Sequence, residues 1–337
     1  MGKKILIVGP SWLGDMVMAQ ALFRLLHSRG DQLDVLAPEW NFAVLERMPE
    51  INKAIPMPID HGELKIAERI RIGKSLRNHH YDQAIVLPNS LKSAIIPWAA
   101  KIPVRTGWAR ECRFLLMNDV RKLDKVKYPL MVQRFVALGY GADDAWDIND
   151  YPLPKLEVNP QSVKEKLEKH QLQVEPQQPV LALAAGAAFG DTKRWPASYY
   201  GEIANKKIDE GWQVWLFGSP KDKEVTAEIQ QLTNGRCRDL AGQLKLDETV
   251  DLISQVTVIV SNDSGLLHVA AALQRPIVAI YGSTSPEFTP PLTKDIHVLQ
   301  TNIECRPCFQ RTCKFGHLKC LTEISTQSVM DAINGFV

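Results

Sequence analysis

Three short polar stretches hold the residue types that could do chemistry. The first, Gly9-Pro10-Ser11-Trp12-Leu13-Gly14-Asp15-Met16, has the glycine spacing of a phosphate-binding loop, but Asp15 and Met16 stand where such a loop needs Lys and then Ser or Thr. A carboxylate there would repel a phosphate, and the segment is not the G-x-G-x-x-G dinucleotide fingerprint either. What remains is a glycine-flanked carboxylate suited to take a proton from an attacking hydroxyl. The competing reading is that Asp15 caps the helix that follows, because Asp favours helix N-termini.

The second stretch, Asn262-Asp263-Ser264-Gly265-Leu266-Leu267-His268, follows the apolar run 256–261. It reads as a buried strand, a tight turn and a helix opening on Ser-Gly, so backbone N–H groups and the helix dipole form an anion site. Asp263 is an odd neighbour for a phosphate unless its carboxylate caps the helix or meets a non-phosphate part of the ligand. A sugar nucleotide would supply both kinds of partner. The third stretch runs from Gly186 to Pro196 and ends in Lys193 and Arg194, just ahead of a helix that Pro196 can start. Cations there oppose the dipole unless an anion lies between. A diphosphate held by Lys193 on one side and the 264–266 amides on the other removes the conflict, against the plainer reading of a solvated surface pair.

The elements that must position these stretches alternate in βαβ rhythm. Strands are expected at 3–9, 33–37, 52–56, 82–87 and 103–107, with helices at 15–29 and 63–78. Five prolines between 152 and 179, around one charged helical stretch at 163–170, mark 151–180 as an interdomain linker. A second series follows, with strands at 180–185, 213–218, 256–261 and 277–281 and helices near 197–210, 221–232, 246–255, 264–273 and 326–334. The fold class expected is α/β, with two Rossmann-like doubly wound parallel-sheet domains, 1–160 and 175–337, facing a central cleft; the last helix is expected to pack back on the first.

Composition narrows the classes. At 337 residues the chain exceeds one ordinary core, and a net charge of +2 argues against tight nucleic-acid binding. The basic-then-apolar N-terminus is too short for a signal peptide and reads as the first strand, which points to a cytoplasmic protein with no structural disulfide among its six cysteines. Cys305, Cys308, Cys313 and Cys320 fall within 16 residues, yet they lack the second Cys-x-x-Cys of a zinc ribbon. A reduced, loop-packed cluster is expected, and no metal ligand is assigned.

In order along the chain, Gly14-Asp15, Lys193-Arg194-Trp195-Pro196, Leu216-Phe217-Gly218-Ser219, Asn262 to His268, and Tyr281-Gly282-Ser283-Thr284-Ser285-Pro286 resemble the ADP-heptose:lipopolysaccharide heptosyltransferases, glycosyltransferase family 9. The resemblance spans nearly the whole chain. Residues 9–15, Leu87-Pro88-Asn89-Ser90-Leu91-Lys92-Ser93 and Arg105-Thr106-Gly107-Trp108 look most like the members that add the second inner-core heptose onto the first.

The resemblance implies a GT-B architecture, an acceptor site on the N-terminal domain, ADP-heptose on the C-terminal one, inversion at the sugar, and no cofactor or metal. It implies Asp15 as catalytic base, Lys193 as diphosphate ligand, and Asp263, Ser264, Gly265, Leu266 and His268 as the nucleotide-sugar loop. Asp222 is expected on the ribose, with Glu224 as competitor, and the 242–246 backbone along the adenine. The implied acceptor is a lipid-anchored, phosphate-bearing lipopolysaccharide core at the cytoplasmic face of the inner membrane. Lys92, Arg105, Arg110 and Arg113 are candidates to contact it, against a generic basic surface, and Trp98 and Trp108 either pack or meet the membrane. Competing readings are a first-heptose transferase or another member of the same family, a sugar-nucleotide epimerase, and a non-catalytic two-lobed sugar-binding protein.

Overall fold

The computed structural model describes residues 2–60, 62–142 and 144–337. The chain divides into two compact units, Met1–Pro154 and Lys155–Val337. In the first, β1 (Lys4–Val8), β2 (Gln32–Ala37), β3 (Ile51–Pro56), β4 (Gln83–Val86), β5 (Val104–Trp108) and β6 (Asp119–Arg121) form a parallel sheet ordered β3-β2-β1-β4-β5-β6. In the second, β7 (Val180–Ala184), β8 (Gln213–Leu216), β9 (Arg238–Asp239), β10 (Val258–Asn262), β11 (Ile277–Ile280) and β12 (Ile296–Leu299) form a parallel sheet ordered β12-β11-β10-β7-β8-β9. The two orders are the same topology read from opposite edges.

Helices on both faces explain the strand composition. β7, Val-Leu-Ala-Leu-Ala, and β10, Val-Ile-Val-Ser-Asn, are buried at every residue, as a parallel strand covered on both sides requires. Each fully buried Val, Leu or Ile contributes roughly 1.5–3 kcal/mol relative to an exposed one. The edge strands β3, β6, β9 and β12 carry exposed or half-exposed positions, and three of them are absent from the strands expected above. β6 reads Asp-Val-Arg and β9 Arg-Asp: short polar edges carry no apolar run to detect.

The segment 151–180, expected as linker, is largely built into the second unit. Its helix Pro160–Lys169 is capped by Asn159 Oδ1, which accepts from the Gln161 and Ser162 amides. Lys166 reaches Asp251 at 2.7 Å and Lys169 reaches Glu248 at 2.6 Å, both on the helix Leu246–Ile253. The last helix, Thr326–Asn334, buries Val329, Met330, Ala332 and Ile333 in the second unit's own core. Its apolar face is consumed against β11, β12 and the helix Ala197–Asp209. Among the described residues, no helix is long and apolar enough to cross a membrane.

In each sheet the chain winds outward from two central strands in opposite directions. β1 leads to β2 and β3 on one side and β4 leads to β5 and β6 on the other; β7 and β10 play the same parts in the second unit. The crevice between two such strands is where an open α/β sheet takes its ligand. Register brings the loops out level, with Val8 opposite Val86 and Ser261 opposite Ala184.

Candidate active site

Asp15 lies at the start of the helix that follows β1. It is the third residue of the helix Leu13–Ser28, whose N-cap, Trp12, makes no side-chain capping bond. A carboxylate in a first helical turn is favoured by the helix dipole. Its side chain also lines a pocket of about 240 Å³, shared with Ser11, Trp12, Asn89, Trp108 and Arg134. Asn89 lies just beyond β4, on the other side of the crevice. Trp108 is buried and its Nε1 donates to the Arg134 carbonyl at 3.1 Å, which fixes one aromatic wall of the pocket.

The acidic turn of the second unit meets the cationic one. Lys193 Nζ donates to Asp263 Oδ2 at 2.6 Å, with the two side chains 15% and 5% exposed. Thr284 Oγ1 donates to the same oxygen at 2.6 Å. The conflict between a cation and the helix dipole is thus met by a carboxylate of the chain itself. Lys193 also lies 5.0 Å over the Phe189 ring, and Arg194 turns away to Asp191 and the Ala187 carbonyl. Asn262 supports the turn from below: its Oδ1 accepts from the Trp195 amide and the Tyr200 hydroxyl, both at 3.1 Å, and its Nδ2 donates to the Ala185 carbonyl at 2.7 Å.

Ser264 is the N-cap of the helix Gly265–Ala272 and its side chain makes no capping bond, while the Asp263 carboxylate accepts from Lys193 and Thr284. Asp263 is therefore an ion-pair partner, not a cap. His268, one turn in, is fully buried; burial pushes its pKa down to about 4, although Asp263 pulls the other way, while Lys193 reinforces the fall. The imidazole is neutral at pH 7. Asp222 closes the turn after β8, where its Oδ2 accepts from the Ser219 amide at 2.9 Å and the Ser219 hydroxyl at 2.7 Å. Gly186 lets that carboxylate approach, since a Cβ there would fall 2.2 Å from the Asp222 carboxyl carbon. Glu224 is exposed, and the Gly242 amide donates to the Gly218 carbonyl at 2.9 Å, bringing the 242–246 loop beside the turn after β8. Asp222, Lys193, Asp263, Ser264, Gly265, Leu266 and Thr284 all lie on loops or helix starts that follow β7, β8, β10 and β11.

Two of the basic residues expected on the acceptor surface have other work. Arg113 is fully buried and Arg105 is tied to the Leu116 and Ile102 carbonyls. Lys92 reaches the Glu63 carbonyl at 3.1 Å, Arg110 is exposed, and Trp98 is 47% exposed. The six cysteines are free thiols, Cys320 is buried, and among the described residues no three His, Cys, Asp or Glu side chains are grouped to hold a metal ion. Sequence reasoning missed Asn89, Arg134 and Thr284. Asn89 and Thr284 fall within segments that carry the family resemblance, but their roles depend on contacts across loops.

Two doubly wound parallel units, with an ionisable site at each crevice, are the architecture of the GT-B class of glycosyltransferases. The chain belongs to glycosyltransferase family 9 (heptosyltransferase), whose model matches residues 69–319. It is 46% identical to lipopolysaccharide heptosyltransferase 2 of Escherichia coli K12 over 99% of this chain and 98% of that protein. It is also 46% identical to lipooligosaccharide heptosyltransferase 2 of Haemophilus influenzae, over 88% of each. The solved structure of E. coli ADP-heptose LPS heptosyltransferase II is similar with a TM-score of 0.88 and 43% identity, covering 99% of this chain and 98% of that one.

Proposed function

We propose that this enzyme is a heptosyltransferase II, moving heptose from ADP-L-glycero-D-manno-heptose to the first heptose of the lipopolysaccharide inner core with inversion. The observation that carries the mechanism is the position of Asp15, a carboxylate on the wall of a pocket, in the helix turn where a phosphate-binding fold would place a cation. In this reading the acceptor oxygen attacks the anomeric carbon as the bond from that carbon to the diphosphate oxygen breaks. ADP leaves with the bonding electrons, and the hydroxyl proton passes to Asp15. A carboxylate is a weak base toward an alcohol until bond formation acidifies the hydroxyl, so the transfer is late.

Lys193 and the amides at Ser264, Gly265 and Leu266 receive the negative charge that grows on the leaving diphosphate, and no divalent ion is required. Asp263 hands Lys193 to the diphosphate and turns toward the transferred sugar. Neutral His268 supports the helix start without adding a like charge, and Asp222 meets the ribose hydroxyls. The acceptor binds the first unit, with peripheral contact to the cytoplasmic face of the inner membrane.

The test is product formation from ADP-heptose and a core acceptor carrying one heptose, with and without chelator, beside a thermal-shift panel of ADP, UDP, GDP and NAD. Stabilisation by ADP alone and chelator-resistant transfer are expected. Isomerisation of ADP-heptose without acceptor would point to an epimerase instead.

A further inference from the structure

Arg113 is a cation with no solvent exposure. Its Nε donates to the Trp108 carbonyl at 2.7 Å, its Nη1 to the Pro88 carbonyl at 2.6 Å and its Nη2 to Asn89 Oδ1 at 3.4 Å. These contacts tie the loop after β4 to the end of β5, two walls of the pocket that holds Asp15, while Arg113 itself stays out of the lining. Gly107 makes room for it, since a Cβ there would fall 2.9 Å from Nη2. Burial lowers the guanidinium pKa to about 10, which leaves it charged and donating at neutral pH.

A guanidinium is donor only, so the atom of Asn89 that faces it must be the amide oxygen; the reverse orientation would set donor against donor. The Asn89 NH₂ is thereby turned away from Arg113, on a half-buried residue that lines the pocket. Burying a cation costs more than closing the same loop with neutral groups, and that cost goes with a loop whose geometry is held to one arrangement.

We propose that Asn89 recognises the acceptor, its Nδ2 donating to a sugar oxygen beside the attacking hydroxyl, and that Arg113 is the positioning residue that orients it. The inference rests on the transferase reading above, and adds to it the group that holds the acceptor against Asp15.

Steady-state kinetics with acceptor and donor varied separately test it. Asn89→Ala and Asn89→Asp should each raise the acceptor KM about tenfold, with the donor KM within about twofold of wild type. Asn89→Asp puts a carboxylate against Arg113, so its thermal midpoint should equal or exceed that of wild type, which separates lost recognition from lost folding. Arg113→Lys should raise the acceptor KM in the wild-type background and add nothing in the Asn89→Ala background. An unchanged acceptor KM in both Asn89 variants overturns the inference and leaves the transferase reading standing. Wild-type protein that transfers no heptose overturns both.

Discussion

The two crevices share a topology and differ in chemistry. In the first unit the helix after β1 presents Asp15 to a pocket walled by Trp12, Trp108 and Asn89. In the second the turn after β10 presents Asp263, already paired with Lys193 from the loop after β7 and with Thr284 from the loop after β11. Both sites sit where strand order reverses, so topology explains their location and nothing more. The chemistry comes from which charge follows which strand: an acid facing a pocket in one unit, an acid holding a base in the other. In the proposed reaction, a carboxylate placed to take a proton and a lysine kept in place for an anion are the two halves of one displacement.

Substitution should separate the halves. Asp15→Asn removes the base and little volume, and is expected to lower turnover by about 10²–10⁴-fold with ADP affinity intact. Assay of the purified variant with saturating donor checks this, and wild-type turnover would remove Asp15 from the mechanism. Lys193→Ala comes next, with a loss of about 10²-fold in kcat/KM that includes weaker donor binding, read from donor titrations. Unchanged donor affinity there would dissolve the contrast between the units.

A smaller effect is confined to the second unit and needs no substrate. His268 has a folded pKa of about 4, against about 6.5 when unfolded, so the unfolded chain binds more protons between those values. The His268 contribution is fully present above pH 6.5 and is lost as pH falls toward 4, to a total of roughly 3 kcal/mol. Denaturant unfolding of wild type and His268→Gln across that range should show a steeper acid loss in wild type. Equal slopes would contradict the placement of a buried neutral imidazole beside the ion pair. Smallest is Thr284→Val, which takes one hydrogen bond from Asp263 and should cost about 1 kcal/mol, seen as a few-fold rise in donor KM with acceptor KM unaltered.

What could be read in advance followed the apolar pattern. The central strands 180–184 and 258–262 stand out because both faces are buried, and the helix start at Ser264-Gly265 follows from them. β6 and β9 did not, because edges of two or three polar residues carry no periodicity. Asp15, Lys193 and Asp263 were visible as charges out of place for their loops. Their partners were not, since Lys193 and Asp263 are 70 residues apart and no local rule joins them. Arg113 shows the opposite failure: a cation in a loop of mixed charge suggests an exposed contact, and only the three oxygens it meets reveal a buried strut.

The division of labour between the two units is tested most directly by calorimetric titration of ADP into wild type, Asp15→Asn and Lys193→Ala side by side. The account predicts that Asp15→Asn binds within about twofold of wild type and Lys193→Ala at least about tenfold more weakly. Equal weakening in both variants, or full affinity in Lys193→Ala, would contradict it.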